Sequence, residues 1–179
     1  MADDAPARFF VDENDLALGR SLALARKDVL HPGHVRLTNV PLGAPDAAWL
    51  PIVGGLGLVV ITRDKKIRSR PAEAELVIRA GVRGFVLTSA GDLSTWETLS
   101  LLVRQWDALE RHVVQHPSGP WLAALTRQGV RPLRIRGSAE IVRGRHGHNH
   151  RARTVLRLWL FQELGPQVLL EELAAGVAR

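Results

Sequence analysis

The amino-acid sequence predicts an α/β protein with a mainly parallel sheet and a helical extension at the C-terminus. Three observations predict it. Over the first 90 residues, short apolar runs alternate with helix-like stretches, the pattern of βαβ units that join parallel strands. Residues 58–62 form a continuous apolar run, as expected of a central strand covered on both faces. Two apolar runs end on an aspartate: Phe9-Phe10-Val11 leads into Asp12, and Leu58-Val59-Val60-Ile61-Thr62-Arg63 leads into Asp64. In open parallel sheets, ligands and catalytic groups gather outside the carboxyl ends of the strands.

Each element has its own local reason. Residues 8–12 read as a short buried strand. Asp15 is placed to cap the helix that follows, with Leu16, Leu18, Leu22 and Leu24 as its apolar surface. Residues 28–31 read as a second strand, and the Pro- and Gly-bearing stretch 32–43 as a loop. Asp46 stands at an N-cap position before Ala47-Ala48-Trp49-Leu50, and Gly54-Gly55 to Gly57 ends that helix. Pro71 opens a helix over 71–80, with Gly81 just past its end. Residues 84–88 form another strand. Ser94-Thr95-Trp96-Glu97 has capping-box spacing and opens a long helix whose buried stripe is Trp96, Leu99, Leu102, Val103, Trp106, Leu109 and Val113. Residues 121–126 and 130–135 read as a hairpin or final pair of edge strands. Beyond the linker-like 144–150, residues 154–164 and 167–177 read as two helices. The expected organisation is one domain over 1–135 and a basic linker with a helical extension over 136–179.

Composition narrows the function classes. A chain of 179 residues can bury a sizeable core. It has no cysteine, which excludes disulfides and cysteine-based zinc sites. Residues 1–8 lack the basic start and apolar core of a signal peptide. Residues 155–177 carry Arg157, Glu163, Glu171 and Glu172, a load no membrane span tolerates. A cytoplasmic protein without membrane contact is expected. The net charge of +6 is unevenly placed: residues 111–162 hold ten arginines against the single acid Glu140. Such a segment suits a polyanion, since each neutralised phosphate releases counterions, or else it is a solvated basic tail. No Gly-rich phosphate loop followed by Lys-Ser/Thr is present, so an NTPase is not expected. His146, His148 and His150 alternate in a Gly-containing stretch with no acidic or cysteine partner nearby, a weak basis for a metal site.

Asp12, Asp46 and Asp64 form the candidate site. Clustered carboxylates repel unless a cation sits among them, and all-oxygen donors suit Mg²⁺ or Mn²⁺, which bind phosphate oxygens at the same time. For Asp46 alone, simple helix capping is the competing reading. Arg63, Lys65, Lys66, Arg68 and Arg70 flank and follow Asp64, and five cations beside an acidic centre would hold a phosphate backbone. Trp49, Trp96 and Trp106 are assigned to core packing.

Val11-Asp12-Glu13-Asn14 at the first strand, Gly43-Ala44-Pro45-Asp46 before a helix, and Ile61-Thr62-Arg63-Asp64 after a strand together resemble the PIN-like nucleases, most of all the short VapC-toxin-like branch. The resemblance covers roughly residues 8–135. It implies a three-layer, Rossmann-like α/β/α sandwich and RNA phosphodiester hydrolysis with Mg²⁺ or Mn²⁺. It also implies that Asp12, Asp46 and Asp64 are metal ligands, with Thr62 and Asn14 orienting ligands or waters. The fourth acid of that family has no secure counterpart: Asp92, beyond a strand end, is the first candidate and Glu13 the second, while Glu97 belongs to the capping box. The expected function is therefore a metal-dependent endoribonuclease, the toxin of a toxin–antitoxin pair. Its partners would be an RNA substrate and an antitoxin that covers the acidic crevice, and a homodimer is compatible. Two other classes fit part of the pattern: a phosphoreceiver-like signalling domain, and a catalytically inactive RNA-binding protein.

Overall fold

The computed structural model describes residues 5–88 and 93–137. Asp92, the histidines 146–150, all but the first two residues of the basic 136–153 stretch, and the helices expected over 154–177 lie outside the described residues.

Five parallel strands and one antiparallel strand make a single sheet. They are β1 (Phe9–Val11), β2 (Val29–Leu30), β3 (Val59–Thr62), β4 (Arg83–Leu87), β5 (Trp121–Thr126) and β6 (Gly129–Leu133), in spatial order β2-β1-β3-β4-β5-β6. Only β6 runs against its neighbour. The apolar run of β3 is indeed interior, pairing β1 on one side and β4 on the other. Helices α1 (Leu16–Ala25), α2 (Asp46–Gly55), α3 (Pro71–Arg79) and α4 (Thr95–Gln115) connect the strands.

Successive strand residues point to opposite faces, and this alternation builds the layers. Phe9, Val59, Ile61, Phe85 and Leu125 pack with Leu18 and Leu22 of α1 and Leu102 and Leu109 of α4. Phe9 meets Trp106 of α4 edge-on at 5.1 Å, whereas its neighbour Phe10 meets Trp49 of α2 from the other face, also at 5.1 Å. Both phenylalanines are fully buried, each contributing about 1.5–3 kcal/mol. The result is the expected three-layer α/β/α sandwich.

Four local expectations are corrected. Pro45, not Asp46, occupies the N-cap position of α2; Asp46 is the first helical residue, and its carboxylate accepts the Trp49 indole N–H at 2.9 Å. Asp15 stands at the N-cap of α1 without a capping hydrogen bond, because a 3-10 turn over Glu13–Asp15 leads into the helix and turns the carboxylate inward. Leu24 is exposed on α1. On α4, Trp96 and Val103 face solvent, Trp96 being 74% exposed. Each α-helical residue turns by about 100°, so Val103 lies a quarter-turn beyond buried Leu102, and Trp96, seven residues earlier, shares the side of Val103. Leu101 and Thr98 are buried instead.

The capping box of α4 is present: Ser94 Oγ accepts the Glu97 backbone N–H, and Glu97 Oε2 accepts the Ser94 backbone N–H at 2.9 Å. Ser94→Ala is expected to lower stability by about 1 kcal/mol, read as a shifted urea midpoint at unchanged m-value; an unmoved midpoint would show that the cap contributes nothing.

Candidate metal centre

The carboxyl ends of β1 and β3 and the first turns of α2 and α3 meet at one edge of the sheet. Asp12 follows β1 and continues its ladder, donating its backbone N–H to Ile61 O at 3.0 Å. The residue is 8% exposed. Asp12 Oδ2 accepts hydrogen bonds from Asn14 Nδ2 and Thr62 Oγ1, both at 2.8 Å. Thr62 Oγ1 in turn accepts the Asp64 backbone N–H at 3.0 Å, and Asn14 Oδ1 accepts that of Arg63 at 3.2 Å. Thr62 and Asn14 thus tie the two aspartate-bearing strand ends into one network. Burial pushes the Asp12 carboxyl above its usual range; the Thr62 hydrogen bond opposes this and the nearby charge of Asp46 adds to it.

Asp46, Asp64 and Glu73 each bring a carboxylate oxygen within 4.8 Å of the other two. Asp12, Asn14, Asp46, Arg63, Asp64 and Arg70 line an open crevice of about 440 Å³ at this place. The structure therefore places Asp12, Asp46 and Asp64 together, and adds Glu73, which the sequence reading missed. Its one local signal was an acid in the first turn of the helix that follows the Asp64 strand. Glu13 is not among the crevice-lining residues; its carboxylate accepts the Gly43 backbone N–H at 2.6 Å and so tethers the 32–43 loop.

The five cations separate into different roles. Arg70 bridges Asp64, at 2.8 Å, and Glu73. Arg63 lies 3.7 Å from the buried carboxylate of Asp15. Burial raises the pKa of Asp15, and the Arg63 charge and the Leu18 backbone N–H oppose the rise, so Asp15 faces both the crevice arginine and the start of α1. Lys65 and Lys66 are exposed in the turn after Asp64. Arg68 reaches towards Arg134 O past the end of β6.

This donor set fits a divalent cation. All four acids offer oxygen, the Mg²⁺ and Mn²⁺ preference, and Arg70 is ion-paired to two of them. The surplus negative charge around a half-open crevice is what a cation would neutralise.

A three-layer α/β/α domain with clustered carboxylates at the carboxyl edge of its sheet has the build of a metal-binding nuclease. Residues 7–89 match the family model of a PIN like domain. The matched segment runs from β1 through β4 and contains Asp12, Asp46, Asp64 and Glu73. No curated protein and no solved structure gives a significant match to the chain. PIN-like domains are in general nucleases that bind divalent metal, so the chemistry indicated for the chain is of nuclease type. No helix among the described residues is long and apolar enough to cross a membrane.

Proposed function

We propose that this protein is a Mg²⁺- or Mn²⁺-dependent endoribonuclease of VapC-like type, acting as the toxin of a toxin–antitoxin pair in the cytoplasm. The observation that carries the reading is the convergence of Asp46, Asp64 and Glu73 beside the buried Asp12. Asp46, Asp64 and Glu73 would hold the ion, with Asp12 closing the site from the floor. Once bound, the metal supplies an activated water and neutralises charge developing on the phosphoryl oxygens. The chain's own part is positional. Asn14 and Thr62 hold Asp12 in one rotamer, the Lys66 backbone N–H holds Asp64 at 2.8 Å, and Arg63, Lys65, Lys66 and Arg70 supply cations for the RNA backbone. A cognate antitoxin would cover the crevice.

Cleavage of a labelled RNA in Mn²⁺ tests this, with chelator as the control. Asp64→Asn and Glu73→Gln should each lose more than the roughly 10- to 100-fold typical of an outer-shell partner, and Asp64→Asn should relieve growth inhibition on expression. Full cleavage by both variants would sink the mechanism. RNA binding that survives loss of all the acids, without cleavage by the wild type, would instead favour an inactive RNA-binding protein.

Arg70 carries a separate expectation. Its guanidinium holds the same carboxylates that would take the ion, so Arg70→Gln should tighten Mn²⁺ binding roughly two- to five-fold, the modest size reflecting an exposed pair. RNA affinity should fall in the same variant. Calorimetric Mn²⁺ titration reads the first effect; weaker metal binding would show that Arg70 organises the acids rather than competing for them.

A further inference from the structure

We propose that the hollow beside the first turns of α4 is a nucleotide subsite for single-stranded RNA, in which the Trp96 indole stacks on a base while Arg104 and Arg127 hold phosphates. This rests on the nuclease reading and adds where the substrate strand is gripped away from the acids.

The hollow has a volume of about 310 Å³ and is lined by Leu93, Trp96, Glu97, Ser100, Arg104 and Arg127, among others. That volume lies at the lower end of the small-ligand range. Trp96 stands apart from the other described tryptophans. Trp49, Trp106 and Trp121 each donate an indole hydrogen bond, to Asp46, Glu110 and His116 O respectively. Each also packs against a phenylalanine ring. Trp96 does neither among the described residues and is 74% exposed. A single exposed apolar side chain needs no explanation. An indole at the rim of a hollow that also holds two arginines does, because an aromatic face beside guanidinium groups is how sequence-tolerant single-strand sites are built.

The charges agree. Neither Arg104 nor Arg127 forms a salt bridge among the described residues. The one acid present, Glu97, is held by the Ser94 backbone N–H and hydroxyl in the capping box and feels the Arg127 charge without a salt bridge. Gln105 Nε2 donates to Arg127 O at 2.9 Å, which anchors the turn that carries Arg127.

Topology puts the hollow on the substrate's path. Arg127 directly follows the carboxyl end of β5, and Trp96 lies in the first turn of α4, which begins at the carboxyl edge after β4. Asp64 lies just beyond the end of β3, and β3, β4 and β5 are consecutive parallel neighbours. The strand ends that carry Asp64 and Arg127 are therefore two strand spacings apart, about 10 Å along one edge. A single strand lying along that edge would meet the acids and the indole in succession.

Anisotropy of a fluorescein-labelled single-stranded oligoribonucleotide, measured in EDTA so that binding is read without cleavage, tests the proposal. Trp96→Ala should weaken binding roughly 5- to 150-fold, with Trp96→Phe close to wild type and the melting temperatures of both unchanged. The Arg104→Ala, Arg127→Ala double variant should lower the slope of log affinity against log salt by about 1.4. Trp96→Ala binding as tightly as wild type overturns the proposal, and leaves the nuclease reading standing if the wild type still cleaves with Mn²⁺. Weakened binding in Trp96→Ala, with no cleavage by the wild type, upholds the subsite and removes the nuclease reading. Unchanged RNA binding with loss of a protein partner would reassign the hollow to protein docking and overturn the proposal.

Discussion

Asp12→Asn should make the metal-free protein more stable while abolishing Mn²⁺-dependent cleavage. Burial is the main reason the Asp12 carboxyl is raised above its ordinary range. It penalises the charged form, so the folded state holds the proton more tightly than the unfolded chain. Between the unfolded and the raised folded pKa the native state binds more protons, and stability falls as pH rises through that window. Above that window the full penalty is present. Asparagine removes it and keeps an oxygen that can accept from Asn14 and Thr62, the two donors seen at 2.8 Å. The expected gain is about 0.5–2 kcal/mol, or roughly 2–8 °C in melting temperature. Wild type should gain more stability than the variant as pH falls through that window; Asp15, also raised by burial, contributes to both. Saturating Mn²⁺ should reverse the order, since an ion at 100 times its Kd adds about 2.7 kcal/mol to the protein that binds it. Melts in EDTA and in Mn²⁺ read both effects. A variant less stable than wild type in EDTA would make Asp12 a structural carboxylate and remove it from the metal site.

Gly54→Val is expected to weaken both the fold and the metal centre. A Cβ at Gly54 would stand 2.5 Å from Ala80 O and 2.9 Å from Ala80 Cβ, so α2 approaches the end of α3 too closely for any side chain. In an open helix, replacing glycine by alanine gains roughly 1 kcal/mol of helix propensity. Here the clash with backbone should outweigh it, costing about 1–3 kcal/mol for alanine and more for valine. Asp46 starts α2 and Glu73 lies in the first turn of α3, so separating the helices also separates two of the acids. Denaturant melts and Mn²⁺ titration of the alanine and valine variants should show a graded loss of both. Asp64→Asn should lose metal binding alone. Wild-type stability in Gly54→Val would show that the helices can part without cost.

Much of this could be read locally. Apolar runs ending at Asp12 and Asp64 place those residues at strand ends, Pro71 and Gly81 bracket a helix, and Ser94 and Glu97 announce the start of α4. What escaped local reading depends on rotation and on neighbours. Trp96 carries the residue type of a core position, but the helical turn from Leu102 sends it outwards. Glu13 sits beside Asp12 in sequence, yet the 3-10 turn lets it reach Gly43. Asp15 stands at the cap position, yet burial also turns its carboxylate towards Arg63.

By itself, then, the sequence determined a parallel α/β protein with acids at the carboxyl ends of its strands, because apolar periodicity and terminal residues act within a few positions of themselves. Only the tertiary structure decided which acids share a crevice. Asp12 lies beside Asp64 because β1 pairs with β3, and Glu73 meets Asp46 because Gly54 lets α2 settle against α3. A metal site depends on oxygens meeting within a few ångströms, and that distance is set by packing between segments far apart in the chain.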